Sequence, residues 1–82
     1  MKRLLYFGAD FCASCKSLWP VVAKEAPEKG YELKYCDIDT DEGAFMAEDF
    51  AVRGLPTLIV IGEDGREEKR AVGNTAWKEV RG

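Results

Sequence analysis

Cys12-Ala13-Ser14-Cys15 is the stretch of this 82-residue sequence with the clearest capacity for chemistry. Two thiols at that spacing can close to a disulfide, attack a foreign disulfide, or supply half of a zinc site. Their surroundings narrow the choice. The pair falls between an apolar run, Leu4-Leu5-Tyr6-Phe7, and the start of a helical pattern. A thiolate at a helix N-terminus meets unsatisfied amide donors and the positive end of the macrodipole, and both favour the charged form. Cys12 is therefore expected to ionise below the ordinary cysteine value of about 8.5. Cys15, one turn further in, falls on the core face and is expected to be the more buried and less reactive thiol. That asymmetry suits exchange, in which Cys12 attacks a substrate disulfide and Cys15 resolves the mixed disulfide.

The competing readings are weaker. Zinc needs four ligands, and with no histidine in the chain only Cys36 and carboxylates remain, so no metal is expected. A purely structural bridge over two intervening residues would constrain the unfolded chain little. The redox reading is preferred: the Cys12–Cys15 disulfide is itself the redox group, and no bound cofactor is implied. The third thiol, Cys36, reads as a small buried hydrophobe. Asp37, Asp39, Asp41 and Glu42 lack the glycine and terminal glutamate of a calcium loop and read as helix cap and solvated surface.

Other residues must position this dithiol. A short apolar run ending at Gly8 predicts a strand buried on both faces over Lys2 to Phe7. Cys15, Leu18, Trp19, Val22 and Ala26 recur at three- and four-residue steps, the apolar face of a helix that Pro20 should kink and that Pro27 and Gly30 should end. A second strand is expected from Tyr31 to Ile38, with Leu33, Tyr35 and Ile38 as its apolar members. Asp39-Thr40-Asp41-Glu42 then caps a helix carrying Ala44, Phe45, Met46 and Phe50. Thr57 to Ile61 is the strongest strand signal. Gly62-Glu63-Asp64-Gly65 turns it back into an edge strand from Arg66 to Val72, whose five charged residues resist pairing with other chains. Asn74 or Thr75 caps a last short helix with Trp77 and Val80. Trp19 and Trp77 are both expected in the core.

The order β-α-β-α-β-β-α makes an α/β fold with a four-stranded mixed sheet and three flanking helices. Its length allows one domain, 1–82. Twelve basic against fifteen acidic residues, with no basic block, argue against nucleic acid or acidic lipid as a partner. No run approaches the roughly 20 apolar residues of a membrane span. The opening Met1 to Asp10 starts like a signal peptide, but its apolar stretch breaks at Asp10, short of the ~7–15 residues of an h-region. A cytoplasmic location in a reducing compartment is expected, and a monomer.

Phe11-Cys12-Ala13-Ser14-Cys15-Lys16, Pro20, Gly54-Leu55-Pro56-Thr57 and Gly73 together resemble the thioredoxin family, at matching intervals along essentially the whole chain. Members usually carry a further N-terminal strand and helix, so the size here is that of a glutaredoxin or of short glutaredoxin-sized thioredoxins. The resemblance implies the thioredoxin fold and a cis-proline at Pro56 facing the cysteine pair. It also implies that the Leu55 backbone pairs with an extended substrate, with Gly54 beside it and with Phe11, Leu55 and Gly73 forming the apolar rim. The implied activity is reduction of disulfide-containing protein substrates, recharged by a thioredoxin reductase. Two alternatives stand beside it. One is a glutaredoxin-type carrier recharged by glutathione, with Lys16, Arg53 and Asn74-Thr75 as candidate contacts. The other is a non-catalytic binding module of the same fold.

The chain departs from the family pattern at several points. Ala13-Ser14 replaces the usual Gly-Pro, Gly8 stands where an aromatic is common, and the widening of the groove there is one expectation. The family's buried aspartate and the lysine beside it fall at Tyr6 and Tyr35. Water, Asp10 or a tyrosine hydroxyl must then take the proton of the resolving thiol, and a flatter pH dependence of that step near neutrality is expected.

Overall fold

The run Leu4-Leu5-Tyr6-Phe7 sends apolar side chains to both sides of its strand, so it needs packing above and below. In the computed structural model, which describes residues 1–82, it forms β1 (Arg3–Gly8) within a four-stranded sheet. The other elements follow as α1 (Ala13–Glu28), β2 (Glu32–Asp37), α2 (Asp41–Asp49), β3 (Thr57–Ile61), β4 (Glu67–Val72) and α3 (Ala76–Val80). The sheet order is β2-β1-β3-β4. β1 runs parallel to β2 and antiparallel to β3, and β4 is antiparallel to β3 at the edge. The architecture is the expected one, a mixed four-stranded sheet and three helices in the order β-α-β-α-β-β-α.

Strand alternation splits the core in two. Leu4, Tyr6, Leu58 and Val60 face one way and pack with Cys15, Val22 and Ala26 of α1 and with Trp77 and Val80 of α3. Leu5, Phe7, Cys36, Ile59 and Ile61 face the other way, under Met46, Ala47 and Phe50 of the α2 segment. Each large side chain buried in this way stabilises the fold by about 1.5–3 kcal/mol. The helix that carries the dithiol is thus held on the larger of the two clusters.

Four local expectations need correction. Pro27 does not end α1 but stands inside its last turn. The break comes at Gly30, whose φ of +87° is a left-handed conformation that suits glycine. Tyr35 is 37% exposed because β2 is an edge strand, and the buried member of that strand is Cys36. Ile38 lies just outside β2. On α2 the inward face is Gly43, Met46 and Phe50, at steps of three and four, while Phe45 is 72% exposed. On α3, Thr75 takes the cap position without a capping bond, and its hydroxyl donates instead to Glu79 Oε2 at 2.8 Å. The cap of α2 is as expected: Thr40 Oγ1 accepts the Gly43 amide at 3.0 Å, with Asp41 and Glu42 in the first turn.

Candidate active site

The chain leaves β1, turns at Asp10 and Phe11, and enters α1 through Cys12. Cys12 is the N-cap, with extended backbone angles of φ −98° and ψ 105°. The Cys12 N–H donates to the Ala9 carbonyl at 3.1 Å and closes the turn. An N-cap side chain normally satisfies an otherwise orphaned amide with oxygen. Here sulfur does so, for the Cys15 N–H donates to Cys12 Sγ at 3.2 Å. Cys12 and Cys15 form a disulfide with their Cα atoms 5.3 Å apart. Cys12 is half-buried, and Cys15 is 1% exposed within the core. The outer sulfur therefore sits at the positive end of a 16-residue helix with an amide aimed at it, and the inner one lies beneath.

A second segment approaches before β3. The Leu55–Pro56 peptide bond is cis, and Pro56 is fully buried. Thr57 Oγ1 donates to the Gly54 carbonyl at 2.5 Å, holding the bend. Gly73 N–H donates to the Pro56 carbonyl at 2.9 Å, and the φ of +103° at Gly73 is one that side-chain-bearing residues rarely adopt. Leu55 is half-buried against the cluster that also receives Cys12, and neither its N–H nor its C=O is used by another backbone group. Pro56 and Gly73 are thus joined directly, Leu55 and Cys12 share one margin of the core, and Phe11 stands out from the surface at 72% exposure. Val72, 52% exposed and in close contact range of Gly54, extends the apolar margin. Sequence reasoning passed over Val72. The alternation of β4 about buried Ala71 places it on the outward face.

Aromatic rings fill the space under the disulfide. Tyr6 is fully buried, and its hydroxyl donates to the Cys15 carbonyl at 2.7 Å. Its ring stacks on Tyr35 at 5.6 Å and meets Trp19 edge-on at 5.0 Å, while Trp19 meets Tyr35 edge-on at 4.8 Å. Burial, and secondarily Tyr35, pushes the Tyr6 phenol well above its ordinary range. Burial also raises Tyr35, helped by the charges of Asp37, Asp10 and Asp39. Neither ring therefore supplies a phenolate base at neutral pH.

Gly8 does not widen the groove as expected. A Cβ there would lie 2.8 Å from the Tyr35 hydroxyl and 3.3 Å from Cys15 Cβ, so Tyr35 already occupies that space. Beside it opens a cavity of about 370 Å³ lined by Asp10, Cys15, Lys16, Trp19 and Tyr35. Trp19 is accordingly half-buried in a cavity wall as well as packed against the core. Trp77 is a core residue, 2% exposed, with its indole N–H donating to Glu25 at 2.7 Å. Cys36 is 2% exposed, and burial pushes its thiol up to about 11. The carbonyl of Asp37 accepts both the amide and the hydroxyl of Thr40, at 3.0 and 2.7 Å, and its carboxylate accepts the Asp39 amide at 2.9 Å. The acidic stretch thus caps its turn. Of the candidate glutathione contacts, Arg53, Asn74 and Thr75 are exposed, and Lys16 alone lines the cavity.

The tyrosine arrangement has a measurable consequence. Tyr6→Phe leaves the Cys15 carbonyl without its donor and is expected to lower stability by about 1 kcal/mol. The pH dependence has a definite sign. A phenol raised by folding contributes stability that is complete below about pH 10, where the unfolded tyrosine is still neutral, and that is lost as pH climbs towards the folded value. Urea unfolding from neutral to alkaline pH should show a steeper fall in the wild type than in Tyr6→Phe. Equal slopes would show that Tyr6 does not carry this linkage.

The thioredoxin family model matches residues 1–81. A thioredoxin from Mycolicibacterium smegmatis is 40% identical over 72 residues, covering 85% of this chain and 63% of that protein. A thioredoxin from Chlamydia muridarum is 40% identical over 70 residues, covering 85% of this chain and 67% of that protein. The chain thus spans somewhat under two thirds of the length of the mycobacterial relatives. Among solved structures, a thioredoxin variant from Halobacterium salinarum superposes with a TM-score of 0.83 at 31% identity, covering 98% of this chain and 68% of that one. A thioredoxin from Thermosipho africanus superposes with a TM-score of 0.84 over 96% of this chain and 85% of that one; at 24% identity this is a likeness of fold. No helix is long and apolar enough to cross a membrane.

Proposed function

The chain belongs to the thioredoxin family, and from that premise we propose that it reduces protein disulfides through Cys12 and Cys15, recharged by a flavin-dependent, NADPH-linked thioredoxin reductase. The observation that carries this reading is the amide of Cys15 pointed at Cys12 Sγ from the first turn of α1. In the reduced protein that amide and the helix end favour a thiolate on Cys12, the form that attacks sulfur. Cys12 forms a mixed disulfide with the substrate, and Cys15, buried one turn below, displaces the substrate thiolate and restores the Cys12–Cys15 bond.

The Gly54-Leu55-Pro56 segment is the docking edge in this reading. The free backbone groups of Leu55 can pair with an extended substrate as a short added strand. Phe11, Leu55 and Gly73 form the apolar rim around Cys12, with Val72 beside them. No bound cofactor or metal enters the scheme. In this reading the protein acts as a monomer in a reducing, cytoplasmic compartment, the setting in which a Cys-x-x-Cys pair serves exchange rather than structure.

The test is NADPH consumption during insulin reduction under two recharging systems, with Cys12→Ser as the blank. Turnover with thioredoxin reductase alone is the expected result. Turnover only with glutathione and glutathione reductase would move the protein to the glutaredoxin type. Silence in both, with normal reduction by dithiothreitol, would overturn the assignment of donor and favour the binding-module reading.

A further inference from the structure

Resolution of the mixed disulfide requires that Cys15 lose a proton inside the fold, and the side chains around it leave few acceptors. From β1, the Tyr6 hydroxyl is committed as a donor to the Cys15 carbonyl. From β2, Tyr35 closes the space above Gly8, and burial with the nearby charges of Asp37, Asp10 and Asp39 holds its phenol neutral. The Asp37 carboxylate accepts the Asp39 amide and lies outside the cavity lining. From α1, Lys16 is a cation with protons to give rather than to take. Asp10, in the turn between β1 and α1, is the one carboxylate in the cavity wall that also contains Cys15. The cavity, of about 370 Å³, carries the polar groups of Asp10, Lys16 and Tyr35 in a wall it shares with Cys15 and Trp19, and is roomy enough for bridging water.

We propose that Asp10 accepts the Cys15 proton through water in this cavity, a side route that stands in for a carboxylate beneath the dithiol. The proposal rests on the oxidoreductase reading above. In the step, the proton of the Cys15 thiol passes to water and on to the Asp10 carboxylate. The Cys15 thiolate attacks Cys12 Sγ, the bond from Cys12 to the substrate sulfur breaks, and the Cys12–Cys15 bond forms. The substrate sulfur leaves as a thiolate with the electron pair and takes up a proton from Asp10 or solvent. Two thiols are oxidised and one substrate disulfide is reduced. Tyr35 walls the cavity on the Gly8 side, so the route runs past Asp10.

Stopped-flow mixing of the reduced protein with an excess of an aromatic disulfide that releases a coloured thiolate separates the two steps. The first phase, attack by Cys12, scales with reagent concentration; the second, resolution by Cys15, does not. Asp10→Asn is expected to slow the second phase about tenfold relative to the first at neutral pH, less than the roughly hundredfold or more usual for loss of a proton-transfer group, because water partly substitutes. Asp10→Glu recovers the ratio, and added formate partly restores it in Asp10→Ala. Asp10 is exposed, so these variants fold. A second phase in Asp10→Asn that keeps the wild-type ratio would overturn the proposal. A wild type that releases a single equivalent of thiolate and stays joined to the reagent would instead overturn the exchange reading beneath it.

Discussion

Replacing Cys12 by serine is expected to abolish disulfide reduction, with a loss of at least about a thousandfold, as befits removal of a nucleophile. The reason is local. The thiolate does the attacking, and a serine hydroxyl in the same position has no anion near neutral pH for the Cys15 amide and the helix end to favour. Cys15→Ser fails differently. Attack by Cys12 still occurs, but nothing displaces the substrate, so the protein accumulates covalently joined to it. Mass spectrometry of the quenched reaction distinguishes the two: unmodified protein for Cys12→Ser, a stoichiometric adduct for Cys15→Ser. An adduct on Cys12→Ser would reverse the assigned roles. A Cys12→Ser/Cys15→Ser variant that kept full biological function would make docking the function and exchange incidental.

The second large effect is on stability and runs against helix propensity. Gly43 sits in the first turn of α2, where alanine normally improves a helix by about 1 kcal/mol. Here a Cβ would run into the Asp37 carbonyl oxygen and carbon at the end of β2, and would come to 3.0 Å from the Asp37 nitrogen. These are backbone atoms. They are held by the β1–β2 ladder and by the Thr40 bonds to the Asp37 carbonyl, so they have little room to yield. Gly43→Ala is therefore expected to destabilise by about 3 kcal/mol, the upper part of the usual overpacking range. In a domain this small that lowers the melting temperature by roughly 15 °C. Thermal unfolding by circular dichroism reads it directly, and a variant as stable as the wild type would mean that α2 can move off β2 at little cost.

The order of elements and the place of the dithiol were legible because each rests on a local signal: the apolar run before Gly8, the three-and-four spacing from Cys15 to Ala26, the Asp-Gly turn. The misreadings share a cause, in that they concern which neighbour a residue meets. Phe45 counts as apolar wherever it stands, but only the sheet decides that Gly43, Met46 and Phe50 face inward. Gly8 was read as an absence, a missing aromatic, because the sequence does not tell that the parallel register pairs Tyr6 with Tyr35 and brings the Tyr35 hydroxyl to the Gly8 position. Val72 was hidden by its charged neighbours. The cavity joining Asp10 to Cys15 brings together residues from a turn, a helix and an edge strand, and no spacing rule connects those.

The two-sided core has a consequence for how this sequence can change over generations. The sheet walls off the residues under α2 from those under α1, and the dithiol draws its support from the α1 side. Substitutions among Leu5, Phe7, Ile59, Met46 and Phe50 bear on how long the molecule survives, whereas those around Tyr6, Trp19 and Tyr35 bear on that and on the surroundings of the sulfurs together. One face of the sheet is thus open to change that leaves the setting of the dithiol as it is, while change on the other face reaches durability and that setting at once.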